Sequence, residues 1–591
     1  MRFLSRISVR IGLSLIVLLG LAAALFLFVV PGARSASAHN AVDTGTTFQG
    51  THGTLSSSHP LPDAVQGLLN GSQAPRREAS TRTTAPNHLF GHHSRNAPGA
   101  NLPGIQDIGT DVQSVNARTR AGEVLQNFAG LNSVDSQQIN TFVNEPPDQG
   151  LCVGSVRGNK VVVEIINAVV AFYNPSGSLL GDKLGLNTFF GEPSTQFLTD
   201  PRCVFDTSTQ TFFFTVLAID TTTGSTNHVD LLVLRNNFTG EVVPVDVTFP
   251  DNKQGQCPCL GDQPKLGIDA FNIYITIDEF DSTQTIETGD TLIALSKGQL
   301  FTNAPQINTA TFLNLALGGT GVVALEPAIT TGPALQEFLL NSFLYSDAAQ
   351  TQPITSTNQL GLWSLSHPER VTGGGVPDLS ETNITSQTYG FPVPALTTNG
   401  KALATYTNDD RVQQVQYNNG HLVAVLNSAV TINGDSATRD GAAWFEIQPV
   451  VNFDGRIAAG RVTNQGDVAA KGEYVIYPSI EQTFTGSIGI AFSVTSPTLN
   501  PSTGYAVRRF GSGQFSPIRI TKMGSDPDIG VTCSLGAPQE CRWGDYSWTA
   551  LDPNGRDIWM GAEDTVPQVA TSPSGAKTNW GTQLWEVQGG L

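Results

Sequence analysis

Gly261-Asp262-Gln263-Pro264-Lys265-Leu266-Gly267-Ile268-Asp269-Ala270-Phe271-Asn272-Ile273-Tyr274-Ile275-Thr276-Ile277 holds, in seventeen residues, an acid, a short strand, a turn and a β-branched apolar strand. The turn Asp269–Asn272 before the run Ile273–Ile277 is a hairpin signal. The same order recurs along the chain, with an acid heading each unit: Asp148, Asp200, Asp262, Glu326, Asp410, Glu473 and Asp545. Successive acids lie roughly 50 to 85 residues apart, the length of one four-stranded unit with its loops.

Each acid is followed by a turn and an apolar run. Arg157-Gly158-Asn159 precedes Val161–Ile166, Asp206-Thr207-Ser208 precedes Phe212–Leu217, and Asn418-Asn419-Gly420 precedes Leu422–Leu426. A third strand follows in every unit, from Val169–Tyr173 in the first to Gln583–Val587 in the last. No segment carries a long 3.6-residue apolar period, so helix content is expected to be low. The predicted fold is all-β, a seven-bladed β-propeller of four-stranded antiparallel blades. The chain ends just after Val587, which leaves the seventh blade one strand short. The segment around Asn127 to Val143 is expected to supply that strand and close the ring, removing an open edge.

The 591 residues divide into three stretches. Residues 1–38 are an export segment: Arg2, Arg6 and Arg10 precede the apolar run Ile11–Val30, and Ala36-Ser37-Ala38 reads as a cleavage site. The run is also long enough to span a bilayer, so a cleaved signal peptide and an uncleaved anchor both remain open. Either sends the body out of the cytoplasm, to a secreted or cell-surface location, with the membrane touched only through this segment. Residues 39–120 are polar, poor in large apolar residues and aperiodic, and are expected to be a disordered linker. Its His88, His92 and His93 could capture a metal loosely, but nothing there fixes ligand geometry. Residues 121–591 are expected to be the propeller, acting as a monomer.

The formal charge of −18 argues against nucleic acid, whose phosphates need clustered Lys and Arg. Six cysteines suit an oxidising compartment. Cys533 and Cys541 flank a short polar loop, and Cys152 and Cys203 follow the first two acids by four and three residues on neighbouring inner strands, so these are the favoured pairs. Cys257-Pro258-Cys259 is too short for an unstrained bridge.

In a propeller the innermost strand lines the channel, so the seven acids are expected near one axis. Their mutual repulsion would need relief from backbone amides, from Arg202, Lys265 and Arg411, or from a bound cation, for which Ca²⁺ is the natural candidate. Trp543, Tyr546 and Trp548 stand beside Asp545 and would suit a sugar-binding cleft, to which Tyr474 and Tyr477 could belong. Asp148, Asp200, Glu326, Asp410 and Glu473 complete the candidate ligand-binding set.

Pro146-Pro147-Asp148, Asp200-Pro201-Arg202, Gly261–Gly267 and Trp543-Gly544-Asp545-Tyr546-Ser547 resemble segments of secreted sialidase-like (BNR-like) β-propeller proteins, over about residues 140 to 590. Asp552-Pro553-Asn554-Gly555-Arg556-Asp557-Ile558-Trp559 is similar to an Asp box, with Ala550 where Ser or Thr would stand. The resemblance implies the propeller fold more than any activity, since Arg202, Arg411 and Arg542 show no triad pattern in sequence.

Two function classes follow. One is a recognition module for a glycan, a cell-surface polymer or a protein, with or without a cation. The other is a glycoside hydrolase or lyase using paired carboxylates, with Asp262 and Asp545 as the catalytic pair. No Gly-x-Ser-x-Gly turn, P-loop, dinucleotide fingerprint or HExxH is present, which sets aside serine hydrolysis, nucleotide binding and zincin chemistry.

Overall fold

The computed structural model describes residues 46–67, 113–114 and 122–589, except 57, 141–143, 223–226, 238, 250–258, 282–286, 303, 318–319, 323, 344–355, 399–403, 535–539 and 573–574. The expected export segment at residues 1–38 and the expected loose metal ligands His88, His92 and His93 lie outside the described residues. No described helix is long and apolar enough to cross a membrane.

Strand pairing follows chain order. Blade 1 is Gly150–Val156, Asn159–Ile166, Val169–Tyr173 and Leu184–Gly185; blade 2 is Gln196–Asp206, Thr211–Asp220, Asn227–Arg235 and Gly240–Asp246. Blade 3 is Cys259–Ile268, Asn272–Phe280, Glu287–Ser296 and Ile307–Phe312; blade 4 is Glu326–Pro327, Gln336–Asn341, Ser356–Ser366 and Asp378–Gly390. Blade 5 is Val412–Asn418, His421–Val430, Arg439–Val451 and Ile457–Val468, and blade 6 is Tyr474–Gln482, Ile488–Ser496, Leu499–Arg508 and Arg519–Lys522. The last, blade 7, is Trp548–Leu551, Asp557–Thr571 and Lys577–Gln588, with Val124–Asn132 as its fourth strand. Pairing within every blade is antiparallel.

The first strands of successive blades touch in order, and that of blade 7 returns to that of blade 1. This ring encloses a channel, and the architecture is an all-β propeller. Apolar side chains fill the space between blades. Phe172, Phe189, Phe212 and Phe214 pack between blades 1 and 2, and Trp444, Phe492 and Phe515 between blades 5 and 6. Both faces of each sheet are thereby buried, which explains strands such as Phe212–Leu217 that read as continuous apolar runs rather than alternating ones.

Blade 4 departs from the pattern. Its first strand is interrupted after Pro327, and Ile329–Thr330 leaves the blade to pair in parallel with Ile268 of blade 3 and with Gln416 and Tyr417 of blade 5.

The closing strand is present, but it spans Val124–Asn132 rather than reaching Val143, because Ser133–Asn140 turns into a helix. The expectation of an unstructured stretch over residues 39–120 needs correction where that stretch is described, at residues 46–60 and 113–114. Thr46–Phe48 pairs with the outer strand of blade 4, Thr51–Leu55 with that of blade 3, and His59–Pro60 with that of blade 2. Gln113–Ser114 pairs with Arg519–Ile520 of blade 6. Composition missed this strap because a segment laid on a sheet edge needs only its backbone N–H and C=O groups to bond. It covers edges that would otherwise recruit other chains.

Cys152–Cys203 and Cys533–Cys541 are both disulfide-bonded. The first joins the inner strands of blades 1 and 2. Cys259 is also disulfide-bonded, and Cys257 lies outside the described residues.

Candidate functional site

Several inner strands carry a residue of positive φ within them or just ahead of them: Asp200 (53°), Gln263 (45°) and Tyr477 (50°) lie inside theirs, and Asp148 (43°) lies just before its own. Proline follows three of them, at Pro201, Pro264 and Pro478, and the strand register shifts there. Such a bulge re-aims a side chain at the rim of a sheet. Aspartate tolerates the left-handed region better than most residues, which suits Asp148 and Asp200 to the position. The bulges gather Asp545, Asp148, Asp200 and Asp262 from blades 7, 1, 2 and 3.

The carboxylates are stitched to neighbouring blades. Asp148 accepts the N–H of Asp545 at 2.6 Å and the side-chain amide of Asn167 at 2.5 Å. The other end of Asn167 accepts the N–H of Asp200 at 2.9 Å. Arg542 donates to Asp545 at 2.7 Å, and the Gln263 amide reaches the same oxygen at 3.5 Å. Lys265 and Arg411 both bind Asp278, and Arg411 also forks onto Asp409 at 2.8 and 2.9 Å.

Burial and crowding dominate the electrostatics. Burial, with Asp545 and Asp200 nearby, pushes the Asp148 carboxyl well up. Burial does the same to Asp200, helped by Asp262 and Asp545. Asp262 is pushed up to about 7 by burial, with Asp278 and Asp545 adding to it. Glu326 is pushed up to about 8 by burial despite Arg202 and Lys265 nearby. Burial would also raise Asp278, but Lys265 and Arg411 overcome it and hold that carboxyl below its usual range.

Stability should therefore fall as pH rises across this window. Below about pH 4 these carboxyls are protonated in both states. Between there and pH 7 to 8 the unfolded chain releases protons that Asp262, Glu326 and Glu481, the last also pushed up to about 8 by burial, still hold when folded. Asp435 acts in the opposite sense: its hydrogen bonds and Arg439 overcome burial and hold it at about 2, so its stabilisation is lost only in strong acid. Thermal melts should peak near pH 4 to 5 and decline toward pH 8, with a shallower decline in Asp262→Asn; a melting temperature that rises from pH 5 to 8 contradicts this.

Two of the seven acids do not join the cluster. At the blade 5 inner strand, Asp409 is the residue bound to Arg411, while Asp410 acts on Tyr389 in the outer strand of blade 4. Glu473 stands ahead of the blade 6 bulge, half-buried and within range of Ser496 and Arg439. Tyr477 takes the ring position there, and its hydroxyl donates to the Tyr406 carbonyl at 2.9 Å.

The aromatic cleft also needs correction. Trp543, Tyr546 and Trp548 are all buried and offer no ring face to solvent. Trp543 donates its indole N–H to Ser493 at 3.0 Å. The Arg202 guanidinium lies 3.3 Å from the Tyr546 ring centroid and 4.9 Å from that of Trp548. These rings plug the channel beneath the acids. The Asp-box-like turn is likewise structural: Asp552 accepts the Trp559 indole N–H at 3.0 Å and pairs with Lys160 at 2.5 Å.

On the far side of this plug the channel holds a cavity of about 250 Å³. Its walls include the Cys152–Cys203 disulfide, Ile268, Ile329, Glu481 and Trp548, and Phe484 stands at its edge, 43% exposed. Lys297 reaches it too, paired with Asp206 at 3.0 Å. Sequence reading missed this end because its lining comes from strand ends and turns that carry no repeated motif.

The chain is a β-propeller without a matching family. No family model matches it, and no curated protein does. Among solved structures it is similar to a Trypanosoma rangeli sialidase, with 9% identity and a TM-score of 0.32 over 71% of this chain and 57% of that one. It is also similar to a Penicillium chrysogenum α-L-arabinanase complexed with arabinobiose, with 9% identity and a TM-score of 0.30 over 75% and 94%. Drosophila semaphorin 1b, extracellular domains 1–2, matches with 9% identity and a TM-score of 0.28 over 80% and 88%. These likenesses are loose; the propeller rests on the strand pairing and the closed ring of inner strands.

Proposed function

We propose that the protein is an extracytoplasmic recognition module that holds a glycan or other cell-surface polymer at the cavity end of its channel. The supporting observation is the state of the acids: Asp148, Asp200, Asp262, Glu326 and Asp545 are each less than a tenth exposed and lie over a plugged channel. Carboxylates used this way stitch blades together rather than face a substrate. The cavity offers what the acids do not, an apolar wall with a few polar groups and an exposed aromatic ring at its edge. Two disulfides fit an exported protein.

A second reading, glycoside hydrolysis, draws on one specific observation. Asp262, pushed up to about 7, would hold a proton near neutrality while Asp545 pairs with Arg542. A protonated carboxyl near an ionised one is the arrangement of a general acid and its partner.

One experiment separates the two. The protein is screened against immobilised glycans and cell-wall polysaccharides for binding and for turnover. Phe484→Ala should weaken binding about tenfold or more, as removal of an aromatic anchor does, while Asp262→Asn leaves binding unchanged. Binding unaffected by Phe484→Ala, or turnover abolished by Asp262→Asn and Asp545→Asn, overturns the recognition reading.

A further inference from the structure

At the third strand of blade 2, two strands out from the one that lines the channel, three metal-binding side chains converge. His228 and Asp230 sit two apart on the strand Asn227–Arg235, so both side chains leave the same face. Glu192 comes from the loop after the short helix Leu186–Phe190, just past Gly191. The His228 Nε2 lies 3.4 Å from an Asp230 oxygen and 3.8 Å from a Glu192 oxygen. One donor atom from each of the three lies within 4.8 Å of the others.

Asp230 supplies the second, independent observation. Its side chain is fully buried, and neither carboxylate oxygen has a donor in good hydrogen-bond geometry, the nearest being its ion-pair partner His228. The distance to His228 is longer than a charge-assisted hydrogen bond, which runs about 2.7 to 2.9 Å. Pro244, its partner on the neighbouring strand, has no N–H to offer. A buried carboxylate left this way is costly unless something positive meets it.

The same corner holds a fourth donor. His59 belongs to the N-terminal strap, which pairs with blade 2 at Val242 and Glu241. Its imidazole lies 3.3 Å from where a Cβ on Gly191 would stand, in the corner that Asp230 occupies.

We propose that Glu192, His228 and Asp230 bind a divalent transition-metal ion of the Zn²⁺ class, with His59 as the strap's contribution to the same ion. Two donors each about 2.0 to 2.1 Å from a tetrahedral ion stand about 3.4 Å apart, close to the observed separations. Imidazole and carboxylate together suit zinc and its neighbours better than calcium, which takes oxygen donors alone. The ion would meet the buried Asp230 oxygens and clamp the strap to blade 2. Among the described residues one other cluster, Asp528 with Cys533 and Cys541, has its sulfurs joined as a disulfide and offers no thiolate.

The test uses the intact protein, stripped with chelator and then dialysed against Zn²⁺. About one Zn²⁺ per chain should be retained, Co²⁺ should give visible d–d absorption, and the melting temperature should rise with added Zn²⁺. His228→Ala and Glu192→Gln should each lose the retained ion and the thermal shift. Glu192 lies on a loop, so its variant keeps the fold if His228→Ala does not. His59→Ala should weaken the affinity about tenfold or more. No uptake by the wild-type protein, as a purely ionic His228–Asp230 pair requires, overturns the proposal. Equal uptake by wild-type and Glu192→Gln also overturns it, because the ion would then sit on other histidines.

Discussion

Deleting residues 121–147 should abolish folding. The strand Val124–Asn132 is the fourth strand of blade 7 and pairs along Lys577–Gln588, so a segment from before blade 1 completes the last blade. Beyond the ladder, the Leu131 N–H donates to Glu164 of blade 1 at 2.9 Å, and Asn140 donates to the Ala168 carbonyl at 3.2 Å. Trp580 of blade 7 donates to the Asn144 carbonyl at 2.7 Å. Removing the segment exposes an edge, opens the seam between the last blade and the first, and takes one hydrogen bond from the buried Glu164. A ring cannot close around a missing strand without exposing apolar faces on two blades. The expected outcome is insoluble protein, or soluble protein without a cooperative melt. A truncated chain with a wild-type melting temperature contradicts the closure argument.

Arg542→Ala should be the most damaging single substitution at the acid cluster. The side chain is 14% exposed and ion-paired to Asp545 at 2.7 Å. Burial works against its charge, yet Asp545 and Asp148 outweigh that and hold it firmly cationic. Its removal leaves Asp148, Asp200 and Asp545 crowded around a lost cation. Breaking a buried pair by deleting one partner costs about 3 to 5 kcal/mol, because the charge left behind is uncompensated. Chemical denaturation should show a loss of that size for Arg542→Ala and a smaller one for Arg542→Lys. A loss below about 1 kcal/mol would mean that solvent reaches these carboxylates and the cluster is not the buried stitch described above.

Several site residues were legible because the bulge repeats. Asp148 and Asp545 stand just ahead of an inner strand, Asp200 and Asp262 lie at the bulge within one, and each reaches the cluster. Asp410 was misread for a reason intrinsic to strands: a shift of one residue turns a side chain to the opposite face. Asp409 and Asp410 are adjacent, and only pairing tells which one faces Arg411. Glu473 was chosen because it is acidic, whereas the geometry follows the proline. Asp200-Pro201, Gln263-Pro264 and Tyr477-Pro478 share the bulge, and that dipeptide signal would have located Tyr477. Trp543, Tyr546 and Trp548 suit a sugar-binding cleft by their place beside an acid, but burial depends on the neighbours that folding supplies, and the Arg202 guanidinium covers Tyr546 and Trp548.

Local chemistry along the chain was enough to determine an all-β fold of repeated hairpins, to favour the two disulfide pairs that form, and to call for a closing strand from the N-terminal side. These follow from turn residues, strand periodicity and spacing, which act over short distances. The tertiary structure alone decided which acids meet, that cations and amides already occupy them, that the channel is plugged below them, and that the strap brings His59 to Glu192, His228 and Asp230. Each of these joins residues far apart in the chain, and the free energy of a buried charge depends on the neighbours that folding places around it.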